Sequence, residues 1–250
     1  MRLINSTSAD AVKKVACIGS SSTLGKFGFD WIGALEKQPD NASFRFYNFG
    51  VNGDLAYNGL QRIKDVIDSS PDYVVVQFGV NDAMASGSKR ALKSFRRRKN
   101  LPVDPSPDWY RENMLAIVRS LKMNTHAQIA LCSLNPLGEA PNSKNPYQAE
   151  VNRLVVDYNR ILRQIVIDEK ITYLPIYDRI QELFPAPSGK ILTDRPYQIF
   201  IAGFEHMVLR MGQDDISRRQ GWSYHIDGVH LNSKGGKVFV DLVQDFIKSQ

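Results

Sequence analysis

Two cysteines in 250 residues are too few for a disulfide framework, and two alone cannot complete a zinc site. Cys17 and Cys132 both lie inside apolar, strand-like runs, so buried free thiols are expected. No apolar stretch approaches the roughly 18 residues of a membrane-spanning helix. The opening MRLINSTSADAVKK lacks an apolar core of signal-peptide length. That sets the expectation of a cytoplasmic protein, with a processed secreted form as the alternative. Acidic residues are missing from one place, the stretch KRALKSFRRRK at 89–99, which holds seven basic residues. The net charge is +6, and outside this stretch acids and bases nearly balance. The excess is therefore local rather than a property of the whole surface.

A hydrophobic content of 43% is enough for one sizeable core, and a single domain over residues 1–250 is expected. Strand-like runs recur at Lys14–Gly19, Phe44–Phe49, Tyr73–Phe78, Gln128–Leu134 and Ile171–Ile176. The third and fourth are almost continuously apolar, as in strands covered on both faces of a parallel sheet. Helical stripes follow. Within Gln148–Glu169 apolar residues fall at 151, 154, 155, 158, 161, 162, 165 and 166. Ser106 and Pro107 open another helix as cap and first-turn residues. A last helix is expected over roughly Gly235–Lys248. Strands alternating with helices imply right-handed crossovers and a doubly wound α/β sheet.

The segment Phe184–Ser223 interrupts this alternation with Pro, Gly and aromatic residues. Asp194 and Pro196 could start a helix with an apolar face of Phe200, Phe204, Met207, Val208 and Met211. Such an insertion reads as a lid or interface, or as a helix that simply packs on the core.

In a parallel α/β sheet, loops at the carboxyl ends of the strands build the site. Four polar, glycine-bearing loops stand out: Gly19-Ser-Ser-Ser-Thr-Leu-Gly25, Asn48-Phe-Gly-Val-Asn-Gly-Asp54, Gly79-Val-Asn-Asp82 and His225-Ile-Asp-Gly-Val-His-Leu-Asn232. The first is not a phosphate loop. Its glycine spacing is one residue too long, and Phe27 stands where a magnesium-binding hydroxyl belongs. A dinucleotide fingerprint also fails, because Ser21 occupies the slot of its second glycine. The fourth loop offers His225, Asp227 and His230 as three possible metal ligands within six residues. His126 and His206 are expected on the surface or in packing roles.

Serine chemistry is the other reading. A serine hydroxyl needs a general base, and the base needs a carboxylate to hold its tautomer. Asp227 and His230 are three residues apart, a spacing that a turn can bring together. His225 competes as the base, although a loop residue lining the cleft is the expectation for it. Asp54 and Asp82 are expected to cap helices or tie loops rather than react.

These four loops resemble the four blocks of the GDSL esterases of the SGNH hydrolase superfamily, in order, from about Lys14 to Lys248. Gly19-Ser20-Ser21 stands for Gly-Asp-Ser. Gly53 stands for the second block's glycine, Gly79-Val-Asn81-Asp82 for Gly-x-Asn-Asp, and Asp227-Gly-Val-His230 for Asp-x-x-His. The resemblance implies Ser21 as nucleophile, His230 as base and Asp227 as its orienting acid. It implies an oxyanion hole from the Ser21 and Gly53 amides and the Asn81 side chain. The fold it implies is a flavodoxin-like three-layer α/β/α sandwich with a five-stranded parallel sheet. The implied activity is cofactor-free hydrolysis of acyl esters, whether lipids, lysophospholipids, thioesters or acetylated carbohydrates.

One residue departs from the pattern: Ser20 replaces the aspartate before the nucleophile, and a serine accepts fewer hydrogen bonds there. A catalytically poor binding protein on the same fold is the alternative, beside the metal-dependent hydrolase. Lys89–Lys99 is expected as a solvated surface loop near the cleft mouth, or as a contact for anionic partners. Nucleic acid is not expected, since the stretch holds one aromatic residue, Phe95, and no binding motif.

Overall fold

The computed structural model describes residues 12–140, 143–183, 190–194 and 197–249. The leader reading of the opening residues, and Pro196 as a helix start, fall outside them.

Five strands form: β1 (Lys13–Gly19), β2 (Phe44–Gly50), β3 (Tyr73–Gln77), β4 (Gln128–Cys132) and β5 (Thr172–Leu174). They pair in parallel in the order β2-β1-β3-β4-β5. Side chains alternate across the pleat, so β1 sends Val15 and Cys17 to one face and Ala16 and Ile18 to the other. Both faces are buried, which explains the continuous apolar runs. Each fully buried Val, Leu or Ile side chain contributes about 1.5–3 kcal/mol relative to exposure. Cys17 and Cys132 are buried free thiols.

One face is covered by α3 (Ala56–Gln61), α4 (Ile63–Asp68), α5 (Val80–Ser86), α7 (Pro107–Asn124) and α8 (Pro146–Glu169). The other is covered by α2 (Trp31–Glu36), α9 (Ile176–Leu183) and α12 (Ser233–Lys248). The local signals held: Ser106 accepts from the Trp109 amide at 3.2 Å with Pro107 in the first turn. The result is the three-layer sandwich. The chain leaves β1 toward β2 on one side and β3 on the other. That strand-order reversal opens a crevice at the carboxyl edge.

Four further helices complete the chain: α1 (Ser21–Leu24), α6 (Lys89–Lys99), α10 (Tyr197–Met207) and α11 (Gln213–Gln220). The expected loop at Lys89–Lys99 is instead a helix. Ser88 caps it, accepting from the Ala91 amide at 3.1 Å, and Asn100 ends it in the left-handed conformation at φ 50°. Phe95 buries one side with Leu55, Ala85 and Leu101, leaving the cations on the solvent faces. Four basic residues in its last turn complement the negative end of the helix dipole. Ser22 and Thr23 are members of α1 itself. Thr23 turns inward and donates to Gln77 Oε1 at 2.8 Å.

Candidate active site

The tight α1 turn directly after β1 places Ser21 at the carboxyl edge of the central strands. A loop between an isolated bridge, His225 to Leu231, carries Asp227 and His230 to the same point. His230 Nε2 lies 2.8 Å from Ser21 Oγ across 209 positions of sequence. His230 Nδ1 lies 2.7 Å from Asp227 Oδ2. The other oxygen, Asp227 Oδ1, accepts from the Val229 and His230 amides at 2.9 and 2.8 Å. With Nδ1–H donating to the carboxylate, Nε2 is left to accept from the serine hydroxyl.

All three residues are buried. Burial opposes charge on His230, but the Asp227 carboxylate and its hydrogen bond outweigh it, so the imidazole pKa is raised. Burial likewise opposes ionisation of Asp227, and the His230 charge with the two amides prevails, so its pKa is lowered. Both directions describe the same stabilised pair.

Gly53 and Asn81 border the same cavity, of about 380 Å³, as Ser21 and His230. Gly53 has φ 74°, a conformation that disfavours a side chain, and an added Cβ would sit 3.0 Å from Lys99 Cε. Asn81 Nδ2 donates to the Asp54 carbonyl at 2.8 Å, which fixes the amide and leaves its second N–H available. Gly79 takes φ 131° where β3 turns into α5, with Leu134 and the Tyr110 hydroxyl too close for a Cβ.

The nucleophile turn is not held by residue 20, since Ser20 makes no side-chain cap bond. Asn48 and Arg62 hold it instead, and Lys99 holds the neighbouring loop at residues 52–54. Asn48 donates to the Thr23 carbonyl at 3.0 Å. Arg62 donates to the Gly19 and Phe49 carbonyls at 2.9 and 2.6 Å and to Asp54 at 2.9 Å. Lys99 bonds the Asn52 carbonyl and Asp54 Oδ1, the latter at 2.8 Å. Asp54 is thus a loop tie, as expected. Asp82 ties too, accepting from the Ala56 amide at 3.3 Å. Its burial pushes the carboxyl up to about 7, against the lowering by that amide.

Arg62→Met would strand two carbonyls and weaken the Asp54 tie. A stability loss of about 3 kcal/mol is expected. At this chain length that is a Tm drop of about 6–12 °C by calorimetry.

His225 does not line the cleft. It is fully buried, with Nδ1 3.1 Å from Glu139 Oε1 and Nε2 3.1 Å from the Pro136 carbonyl. It therefore neither serves Ser21 nor converges with His230 on a metal position. Among the described residues no group of three His, Cys, Asp or Glu could hold an ion. Glu139 was not anticipated. It accepts from the Ser223, Tyr224 and His225 amides at 2.7–2.8 Å, anchoring the segment that leads to Asp227. Burial opposes its ionisation, yet His225 and these amides keep its pKa lowered. No local pattern marks a pairing across 86 positions. His126 is exposed, and His206 Nδ1 meets the Met211 carbonyl at 3.1 Å.

A 2-1-3-4-5 parallel sheet with a hydroxyl–imidazole–carboxylate chain at its switch point is an α/β fold whose site is arranged for acyl-transfer chemistry. The family description GDSL-like Lipase/Acylhydrolase matches residues 15–243, and the chain belongs to that family of ester hydrolases. No curated protein sequence is similar enough to count as a relative. Solved structures share the fold. A lipase/acylhydrolase from Enterococcus faecalis is 16% identical with a TM-score of 0.61, over 95% of this chain and 96% of that one. An acetylxylan esterase from Geobacillus stearothermophilus is 17% identical with a TM-score of 0.64, over 95% of each chain. A GDSL-like lipase from Bacteroides thetaiotaomicron is 19% identical with a TM-score of 0.57, over 95% and 88%.

Proposed function

We propose that this protein hydrolyses carboxylic esters through Ser21, His230 and Asp227. The observation that carries the reading is the buried hydrogen-bonded chain Ser21–His230–Asp227 at the wall of an open cavity. Ser21 Oγ attacks the ester carbonyl carbon while its proton passes to His230 Nε2. The carbonyl π pair moves onto oxygen, where the Ser21 and Gly53 amides and Asn81 Nδ2 face it. The C–O bond to the alcohol then breaks, and His230 returns the proton to the leaving alkoxide. Water repeats the sequence on the acyl-serine and releases the acid. Asp227 stays ionised throughout and stabilises the imidazolium.

The cavity favours an apolar acyl group, since Phe27, Met84, Tyr147, Ile199, Phe200 and Val229 line it. Its volume lies in the lower part of the usual range for small-molecule pockets. Esters of short to medium acyl chains fit this reading.

The test is a nitrophenyl ester series from acetate to laurate, with and without chelator, beside labelling by a fluorophosphonate. Chelator-insensitive turnover and a single adduct on Ser21 by mass spectrometry are expected. Loss of turnover on chelation would return the metal reading. A folded protein inert on every ester would return the binding-protein reading.

Arg90 and Arg98 of α6 reach the same cavity without a carboxylate partner among the described residues. For esters carrying an anionic group, KM is expected to rise steeply with salt, as screening shortens the reach of these charges. Neutral esters should show little change. Equal salt dependence for both would remove this role for α6.

A further inference from the structure

The helix α10 is turned inside out. Its buried positions include Gln198 and Glu205, at 6% and 4% exposure. Its outer positions are Tyr197, Phe200, Ile201, Phe204 and Met207, followed by Val208. Phe200 is 72% exposed and Met207 68%. Of the anticipated apolar stripe, Met211 packs inward against Ala202, Ile216 and Ile226, whereas Phe200, Phe204, Met207 and Val208 stay exposed. Polar anchors hold the helix this way round: Glu205 pairs with Arg219 at 3.2 Å and Gln220 at 2.8 Å, and Gln198 donates to the Ile191 carbonyl. A contiguous exposed apolar face of this kind marks a surface that something covers.

Two observations indicate what covers it. First, the face is continuous with the active-site cavity. Phe200 and Ile199 line that cavity, and Gly203 sits over the Phe27 ring, whose centroid is 6.0 Å from that of His230. Second, the facing wall of the same cavity is α6. Of its seven basic residues, only Arg96 and Lys99 pair with a carboxylate among the described residues. Arg90 and Arg98 carry unneutralised charge into the cavity, and Lys89, Lys93 and Arg97 carry it along a separate groove of the same helix. An apolar helix and a cationic helix flanking one opening match the acyl region and the anionic headgroups of a lipid surface. A second copy of the chain would bring a like-charged α6 to the same rim, which is repulsive.

We infer that the cleft mouth is a docking surface for anionic lipid assemblies, with α10 dipping into the acyl boundary and α6 holding the headgroups. The inference rests on the ester-hydrolase reading only for the purpose of docking, which would deliver an acyl ester to Ser21; the surface itself stands independently of turnover.

The test is vesicle flotation of the full chain, with phosphatidylcholine alone and with phosphatidylcholine containing phosphatidylglycerol. Binding to the anionic vesicles only, reversed by salt, is expected. The double variant Phe204→Ser/Met207→Ser should weaken it about tenfold or more, because two large apolar side chains no longer enter the lipid. Both positions are exposed, so the fold should survive. The variant Lys93→Glu/Arg97→Glu should abolish selectivity for the anionic vesicles. Failure to bind either vesicle, or binding unaltered by both variants, overturns the inference. So does a stable dimer in sedimentation velocity that Phe204→Ser/Met207→Ser dissociates. Hydrolysis of monomeric nitrophenyl acetate, measured alongside, separates the readings. Turnover without docking defeats the docking surface alone, and docking without turnover defeats the esterase alone.

Discussion

Replacing Ser21 by alanine is expected to lower kcat on nitrophenyl butyrate by about a thousandfold or more, with little change in Tm. In the proposed mechanism the hydroxyl oxygen forms the acyl bond, so its loss removes covalent catalysis and leaves only binding and the oxyanion donors. A thousandfold corresponds to about 4 kcal/mol of transition-state stabilisation. Stability should hardly move, because the side chain contributes one hydrogen bond, to His230, and no core packing. The neighbours provide the control. Ser20→Ala and Ser22→Ala should keep most of the activity, since neither hydroxyl meets His230. Retained turnover in Ser21→Ala with loss in Ser20→Ala would overturn the assignment of the nucleophile.

The second large effect is expected for Asp227→Asn, at about 10³–10⁴ in kcat. The carboxylate uses both oxygens: one takes two backbone amides and the other takes the imidazole N–H. An asparagine has only one oxygen. Keeping it on the amides points an NH₂ donor at His230 Nδ1. The ring must then carry its proton on Nε2, where it cannot accept from Ser21. The pH profile carries a second signature. Neutral His230 is the active base, so activity falls as the ring protonates. Its pKa is raised by Asp227, so the acid limb of wild-type kcat/KM should lie above the ordinary imidazole value of about 6.5. In Asp227→Asn the raising influences are gone and burial, which lowers the value, remains. The residual activity should therefore extend to lower pH. A limb that does not move would show that another group sets it.

The layers of the fold were legible because each rests on local chemistry. Val74, Val75 and Val76 read as a doubly covered strand, and Ser106-Pro107 as a helix start, from residues close in sequence. The residues of the proposed triad and oxyanion hole stand out in the sequence for a different reason: four short patterns stand in fixed order along the chain. Lys89–Lys99 reads as a loop in the sequence because seven charges mask a narrow apolar stripe ending in Phe95, and because its caps, Ser88 and Asn100, lie just outside the charged run. The position of His225 is not readable locally, because its burial depends on Glu139, whose approach is set by packing of distant elements.

The sequence by itself determined which residues share a face, where helices begin and end, and which side chains can do chemistry. Those properties follow from periodicity, capping and functional groups, all of them local. Only the tertiary structure decided which faces meet. It brought Ser21 and His230 to 2.8 Å, replaced a residue-20 tie by Arg62 and Asn48, and turned Phe200, Phe204 and Met207 of α10 to solvent. An apolar stripe specifies that a helix has two sides. Which side faces inward depends on the partners available there, and for α10 those are Arg219 and Gln220 waiting for Glu205.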